Sequence, residues 1–288
     1  TPEERQREFE IRWEIGGFAI GGAFIDLAIN EEANATAAEF VRSKIRQTVK
    51  DPATAELLCP RDYPFATKRL CVDTGYFETF NRDNVDLVDV SATKGVERIT
   101  ETGFVANGRE YPVDCIIFAS GFEVTSDLNR RWGIEVLQGR DGQSIYDYWR
   151  EGPLTLHGTM AHGFPNQFYI GYIQGGLNAS VTEQFGQQGH HIAYIVSEAL
   201  KRGAAVVEPT KEAQDEYVRR FKEIEIDMSE IQGTCTPSYF NNEGQAKPNW
   251  ALFRSWGYGW DAFQGMWKEW RDKGDLAGLS IHTGPAKR

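Results

Sequence analysis

The run Val113-Asp114-Cys115-Ile116-Ile117-Phe118, closed by Ala119-Ser120-Gly121, limits the folds open to this chain more than any other stretch. A short, nearly continuous apolar run reads as a strand buried on both faces, which places it in the centre of a sheet covered by helices. A glycine just past such a strand permits a tight crossing. In open α/β sheets, ligands lie beyond the C-terminal strand ends. Val85-Asp86-Leu87-Val88-Asp89-Val90 alternates as a second strand, and Phe168 to Ile173 reads as a third. Asn107-Gly108, between Phe104-Val105 and Glu110-Tyr111, is a strong hairpin turn signal.

Helical signals alternate with these strands. Residues 3–14 read as a helix. Thr36 and Glu39 have capping-box spacing, which predicts a helix over 37–50 that stops at Asp51-Pro52. A helix over 183–201 ends near Gly203, and Thr210 caps another over 211–226. The last sixty residues, rich in Trp, Tyr, Asn and Gly, read as irregular structure packed on a larger body. Trp250, Trp256, Trp260, Trp267 and Trp270 are its expected anchors. Strands separated by helices favour an α/β nucleotide-binding architecture.

Composition narrows the function. The 288 residues carry a formal charge of -11, which argues against a nucleic-acid backbone as partner. No stretch has the length of a membrane span. Cys59, Cys71, Cys115 and Cys235 lie far apart, with no CxxC, so free and mostly buried thiols in a reducing, cytoplasmic compartment are expected. No metal site is expected: His190 and His191 are adjacent and point about 100° apart on a helix. Gly16 to Gly22 lacks GxGxxG spacing and reads as a hinge or close-packed turn.

The pattern Lys68-Arg69, then Tyr76-Phe77-Glu78, then Phe80-Asn81-Arg82 and Asn84-Val85, followed by Ala119-Ser120-Gly121-Phe122, resembles the C-terminal half of a flavin-dependent Baeyer–Villiger monooxygenase. In that family the second motif is usually Ala-Thr-Gly-Phe before Asp; here Ser120 and Glu123 depart mildly. The resemblance implies that Lys68 binds the 2'-phosphate of NADPH. It implies that Arg69 is the catalytic residue, placed over the flavin to steady a negatively charged peroxide and hold NADP. Arginine suits that task because it stays charged and offers a rigid fork of donors. Gly121 and Phe122 are implied at the cofactor, and Tyr76 to Asn84 set the fold around Lys68 and Arg69.

Gln174 to Thr182, between strand and helix, can place a helix N-terminus beside a flavin oxygen. Asn178 and Ala179 are implied at the cofactor, and Leu177, Asn178, Ala179 and Ser180 as pocket wall. A plain connection with a Ser or Thr cap is the alternative. Tyr239, in Cys235 to Gln245, aligns with an aromatic that approaches NADP and substrate. That version resembles the cyclopentadecanone and steroid monooxygenase branch; an ordered surface loop is equally open. His162, in Gly158 to Tyr169, is expected to be structural.

The implied fold class is α/β, with portions of two Rossmann-like nucleotide-binding domains, a helical insert and an irregular C-terminal lobe. The parts are residues 1–60, the end of the insert; 61–120, the rest of the NADPH domain; 121–205, the returning FAD domain; and 206–288, the lobe. Neither GxGxxG motif is in the sequence, so FAD and NADPH binding implies a partner, an N-terminal portion of the same enzyme. The chain opens on Thr-Pro-Glu-Glu, and nicking at an exposed loop, with the pieces still associated, is favoured over truncation or a genetic split. The implied reaction uses O2 to convert a ketone, cyclic and bulky, into an ester or lactone. The rival readings are an N- or S-oxygenating flavin monooxygenase and a non-catalytic scaffold.

Overall fold

The computed structural model describes residues 1–121, 127–247 and 253–284. It mixes helix and sheet and divides into two compact units, Thr1–Glu123 and Val124–Arg288.

Unit 1 begins with α1 (Pro2–Ile15), capped by a reciprocal Thr1–Glu4 box. Two short 3-10 turns, Ala19–Gly22 and Ile25–Ala28, follow. They lead to α2 (Glu31–Thr48) and α3 (Pro52–Leu58). The start of α2 differs from the sequence expectation. Asn30, not Thr36, is the cap, and its Oδ1 accepts from Ala33 N at 2.8 Å. Thr36 lies inside the helix, where its hydroxyl donates back to Ala33 O at 2.6 Å. Phe9, Ile20, Leu27, Ala37, Phe40 and Phe65 form the core of this unit. After the single turn α4 (Tyr76–Thr79), a three-stranded antiparallel sheet runs β1 (Arg98–Ile99), β2 (Gly103–Ala106), β3 (Arg109–Pro112). The expected hairpin at Asn107-Gly108 is present, with Ala106 opposite Arg109 and both turn residues at positive φ.

Unit 2 holds the short helices α5 (Leu128–Trp132) and α6 (Ile145–Tyr148), then the long α7 (Val181–Lys201). Strand β4 (Val206–Pro209) leads to α8 (Lys211–Ile224), capped by Thr210 as expected. Then come β5 (Ile226–Asp227), α9 (Ser229–Gly233), β6 (Arg254–Ser255), α10 (Gly259–Lys273) and β7 (Leu279–His282). Antiparallel pairs join β4 to β7 and β5 to β6. The C-terminal lobe is thus more regular than expected. Phe263 and Trp267 are buried on one stripe of a fifteen-residue helix. Trp256 is buried too, Trp260 and Trp270 are half-buried, and Trp250 lies outside the described residues.

Three predicted strands are corrected. Residues 85–90, 113–118 and 168–173 belong to none of the sheets among the described residues. The reason differs by segment. Backbone at 169–171 finds other partners: Tyr169 N donates to Thr159 O at 2.8 Å, and the Gln188 amide binds both N and O of Gly171 at 3.0 and 2.8 Å. Residues 113–118 keep strand composition without a neighbouring strand. The cysteines also split differently: all are free, with Cys59 and Cys235 buried but Cys71 and Cys115 exposed.

The centre of unit 2 contains a buried histidine pair. His191, on α7, lies 3.1 Å from His157 through Nε2 and Nδ1. Arg271, on α10, donates to His191 Nδ1 at 3.2 Å, so His191 carries its proton on Nε2 and donates it to His157. Trp267 stacks on the His191 ring at 4.9 Å. Burial, reinforced by the Arg271 charge, holds both rings far below the ordinary histidine range, His157 at about 3. Both are neutral when folded, whereas the unfolded chain takes up protons below about pH 6.5. Stability is therefore full above pH 6.5 and is lost as the pH falls from there toward 3. Between pH 7 and pH 5 the loss should reach about 2 kcal/mol per histidine. Urea unfolding at the two pH values checks this, and His191→Gln should shrink the difference; a flat wild-type profile would contradict it.

Candidate cofactor and active site

Lys68 and Arg69 line a cleft of about 900 Å³ in unit 1, together with Trp13, Tyr63, Leu70 and Tyr76. Their position is set by a tight turn. Ala66 has φ 63°, and Thr67 donates to Pro64 O through both N and Oγ1, at 3.3 and 2.7 Å. The turn is pinned by Asn34 of α2. Its amide donates to Leu27 O and Phe65 O, both at 2.8 Å, and accepts from Phe65 N at 2.7 Å. Lys68 Nζ lies 4.8 Å from the Tyr63 ring centre, and the Arg69 guanidinium 5.4 Å from that of Phe18. These aromatic faces limit where the two cations sit.

The segment after Arg69 is tied back to the helices. Asn81 accepts from Lys50 N at 2.7 Å and donates to Thr48 O at 2.8 Å, closing the C-terminus of α2. Tyr76 meets Phe77 and Phe80 edge-on. Phe77 and Phe80 pack against the core at the end of α2, while Tyr76 also lines the cleft. Gly121, at the end of this unit, has φ 87° with open space where a Cβ would sit. Backbone conformation alone therefore favours glycine there. Phe122 lies outside the described residues.

In unit 2 the residues Leu177 to Ser180 form the turn that starts α7. Asn178 Oδ1 accepts from Ser180 N at 2.8 Å, and Ser180 Oγ accepts from Glu183 N at 3.4 Å as the helix cap. Gln184 Oε1 holds Asn178 N at 2.9 Å. Leu177 and Asn178 are half-buried, while Ala179 and Ser180 are exposed at the positive end of a 21-residue helix. The preceding glycines are needed for packing. A Cβ at Gly176 would lie 2.9 Å from Phe263 and 3.1 Å from Trp260, and one at Gly175 would lie 3.0 Å from Phe263. Gln174, at φ 41°, is fixed by Thr155, whose N and Oγ1 donate to its Oε1 at 2.9 and 2.7 Å.

Tyr239 sits on a different loop of unit 2, its ring 4.5 Å from that of Phe240. Buried Asn241 organises this loop with four hydrogen bonds, accepting from Ser238 N and Gly244 N and donating to Cys235 O and Thr236 O. His162 is structural: its Nδ1 donates to Pro209 O at 3.0 Å. The expected residues described thus fall into four places along the chain: Lys68 with Arg69, Gly121, Leu177 to Ser180, and Tyr239. Sequence reasoning missed the residues that hold them, Asn34, Gln174, Gln184 and Asn241. A lone Asn or Gln carries no periodicity, although Gln184, Gln188 and His191 do share a helical face at spacings of four and three.

No family model matches the chain. Pentalenolactone D synthase of Streptomyces exfoliatus is 40% identical over 253 residues, which is 87% of this chain and 43% of that protein. A Baeyer–Villiger monooxygenase of Streptomyces coelicolor is 38% identical over 248 residues, 85% of this chain and 40% of its own length. The chain is homologous to Baeyer–Villiger monooxygenases. Among solved structures, oxidised steroid monooxygenase bound to NADP superposes with a TM-score of 0.75 at 30% identity, over 99% of this chain and 51% of that one. The closed form of cyclohexanone monooxygenase gives 0.73 at 28%, over 99% and 52%. OTEMO with FAD and NADP gives 0.73 at 29%, over 98% and 52%. The chain spans about half the length of these monooxygenases.

Asn34→Ala should leave three backbone groups near Leu27 and Phe65 without partners. A loss of roughly 2–3 kcal/mol is expected, read as a lower denaturation midpoint, and Lys68 and Arg69 should lose their fixed placement. An unchanged midpoint would show that the turn holds itself.

Proposed function

We propose that the chain supplies one half of an FAD-dependent, NADPH-consuming Baeyer–Villiger monooxygenase and acts with a further portion of polypeptide that carries both GxGxxG motifs. The observation that carries this reading is the cleft lined side by side by Lys68 and Arg69, in a sequence 40% identical to pentalenolactone D synthase. Residues 61–120 complete an NADPH domain and 121–205 return to an FAD domain, both Rossmann-like. Residues 1–60 end a helical insert, and 206–288 form a C-terminal lobe.

The residues present fit the anionic parts of such cofactors. Bound flavin supplies the redox chemistry, using reducing equivalents from NADPH to activate O2. The overall reaction takes ketone, O2, NADPH and a proton to an ester or lactone, NADP+ and water. Lys68 offers a mobile point charge to a 2'-phosphate. Arg69 offers a permanent charge on a rigid fork to negative charge that develops during oxygen transfer. Gly121 shapes the backbone at the cofactor, and Phe122 is assigned beside it. Asn178 and Ala179, at the N-terminus of α7, would border bound flavin, where the positive helix end favours negative charge. Leu177, Asn178, Ala179 and Ser180 form pocket wall, and Tyr239 approaches NADP and substrate. The likeness to steroid monooxygenase supports a bulky cyclic ketone.

Two substitutions in the assembled enzyme separate these roles. Arg69→Ala should retain flavin, seen by its visible absorbance, and lose ester formation by at least about 100-fold. Unchanged product formation would sink the catalytic role. Lys68→Ala should raise the KM for NADPH roughly 10-fold or more while leaving that for NADH nearly unchanged. An equal effect on both would show that Lys68 does not read the 2'-phosphate.

A further inference from the structure

Gln174, just ahead of the expected pocket wall, holds a backbone conformation that its residue type disfavours. Its φ of 41° lies in the left-handed region, although the two glycines that follow it, which enter that region freely, do not. Glycine at 174 would remove the strain, so the glutamine side chain has a use. Its Oε1 accepts from both N and Oγ1 of Thr155, at 2.9 and 2.7 Å. The backbone is held as well. Tyr217, on α8, donates its hydroxyl to Gln174 O at 2.5 Å. Burial pushes the Tyr217 phenol well above its ordinary range, so it remains a donor. A Cβ at Gly158 would lie 3.1 Å from the same oxygen, so the chain after Thr155 also packs against it. Thr155, Gln174 and Tyr217 are all buried. A strained residue persists only where its surroundings over-determine it, and such residues cluster at functional sites.

The strain sets the course of the turn that follows. Gly175 O accepts from Trp256 N at 3.0 Å, and Gln184 Oε1 holds Asn178 N at 2.9 Å. Leu177 is therefore spanned between two fixed ends, and it is the first residue after Gln174 with a side chain. We propose that Thr155 and Tyr217 are positioning residues that govern which ketone is accepted: through Gln174 they set where Leu177 to Ser180 stand as pocket wall. Neither is assigned a contact with substrate. The inference rests on the Baeyer–Villiger reading of that wall and adds the groups that fix its shape, in the chain ahead of α7 and on α8. A wall displaced by a fraction of an ångström changes how a ketone is presented for reaction, and so changes its rate relative to a ketone of another size.

The test compares a steroid ketone with cyclohexanone in the assembled enzyme. Tyr217→Phe keeps the buried ring and removes its hydroxyl, and Thr155→Val keeps the side-chain shape and removes one donor. Each should change the ratio of kcat/KM for the two ketones by about 10-fold or more, with the KM for NADPH unchanged. Thr155→Ser retains both donors and should keep the wild-type ratio. Because both residues act through Gln174, the double variant Tyr217→Phe, Thr155→Val should change the ratio by less than the product of the two single effects. A lower melting temperature with the wild-type ratio in both single variants would show a structural role only and overturn the proposal. Amide hydrogen exchange reads the clamp directly. Tyr217→Phe should speed exchange at Thr155 and Asn178 about 10-fold and leave the middle of α7 unchanged; unaltered exchange at both would overturn the proposal as well. A wild type that forms no ester from either ketone would fail the Baeyer–Villiger reading, and ketone selection with it. Ester formed with an unchanged ratio in the variants would fail the positioning role alone.

Discussion

The candidate site in unit 2 depends on a polar stripe buried on one face of α7. Gln184, Gln188 and His191 are almost fully buried, where leucines would be the ordinary choice. Each spends its polar atoms on the irregular chain from 157 to 178. Gln184 holds Asn178, Gln188 holds both backbone groups of Gly171, and His191 holds His157. A buried amide that satisfies a loop replaces the ladder that a strand would have provided, and leaving any of these groups unpaired would cost about 1–3 kcal/mol. The loop can thus run between strand-like and helical chain without belonging to a sheet. Aromatic packing closes the other side, with Phe263 and Trp260 against the two glycines and Trp267 against His191.

Unit 1 solves the same problem with two asparagines. Asn34 fixes the approach to Lys68 and Arg69, and Asn81 fixes the chain that leaves them. Two flexible cationic side chains become a defined charge pair because the backbone beneath them is held from both directions. The aromatic faces of Tyr63 and Phe18 then limit where the charges sit. Charge placed in advance reduces the reorganisation needed when negative charge develops.

Local signals were legible in the sequence where they were self-sufficient. The helix at 2–15 carries its own cap, those at 181–201 and 211–224 carry caps and periodicity, and Asn107-Gly108 is a hairpin whatever surrounds it. Strand predictions failed where a strand needs neighbours. Residues 113–118 and 168–173 have strand composition, but their ladders require other chain, and one segment found side-chain amides in its place. Thr36 misled because the capping spacing recurs inside helices, where the hydroxyl bonds backward to Ala33. The C-terminal helix was hidden by Gly259 and Gly265, which lower helix propensity although the Phe263–Trp267 stripe overrides them. Lys68 and Arg69 were found through a motif; the asparagines and glutamines that position them and the α7 turn could only be seen in three dimensions.

The central claim is that this half-length chain contributes to oxygen insertion beside a ketone carbonyl. The most direct measurement supplies the assembled enzyme with a bulky cyclic ketone, NADPH and 18O2, and follows the label by mass spectrometry. The account predicts a lactone that carries one 18O atom at the ring oxygen, with one NADPH consumed per lactone. Label found only in oxidised amines or sulfides, or NADPH consumption with no labelled ester, would contradict it.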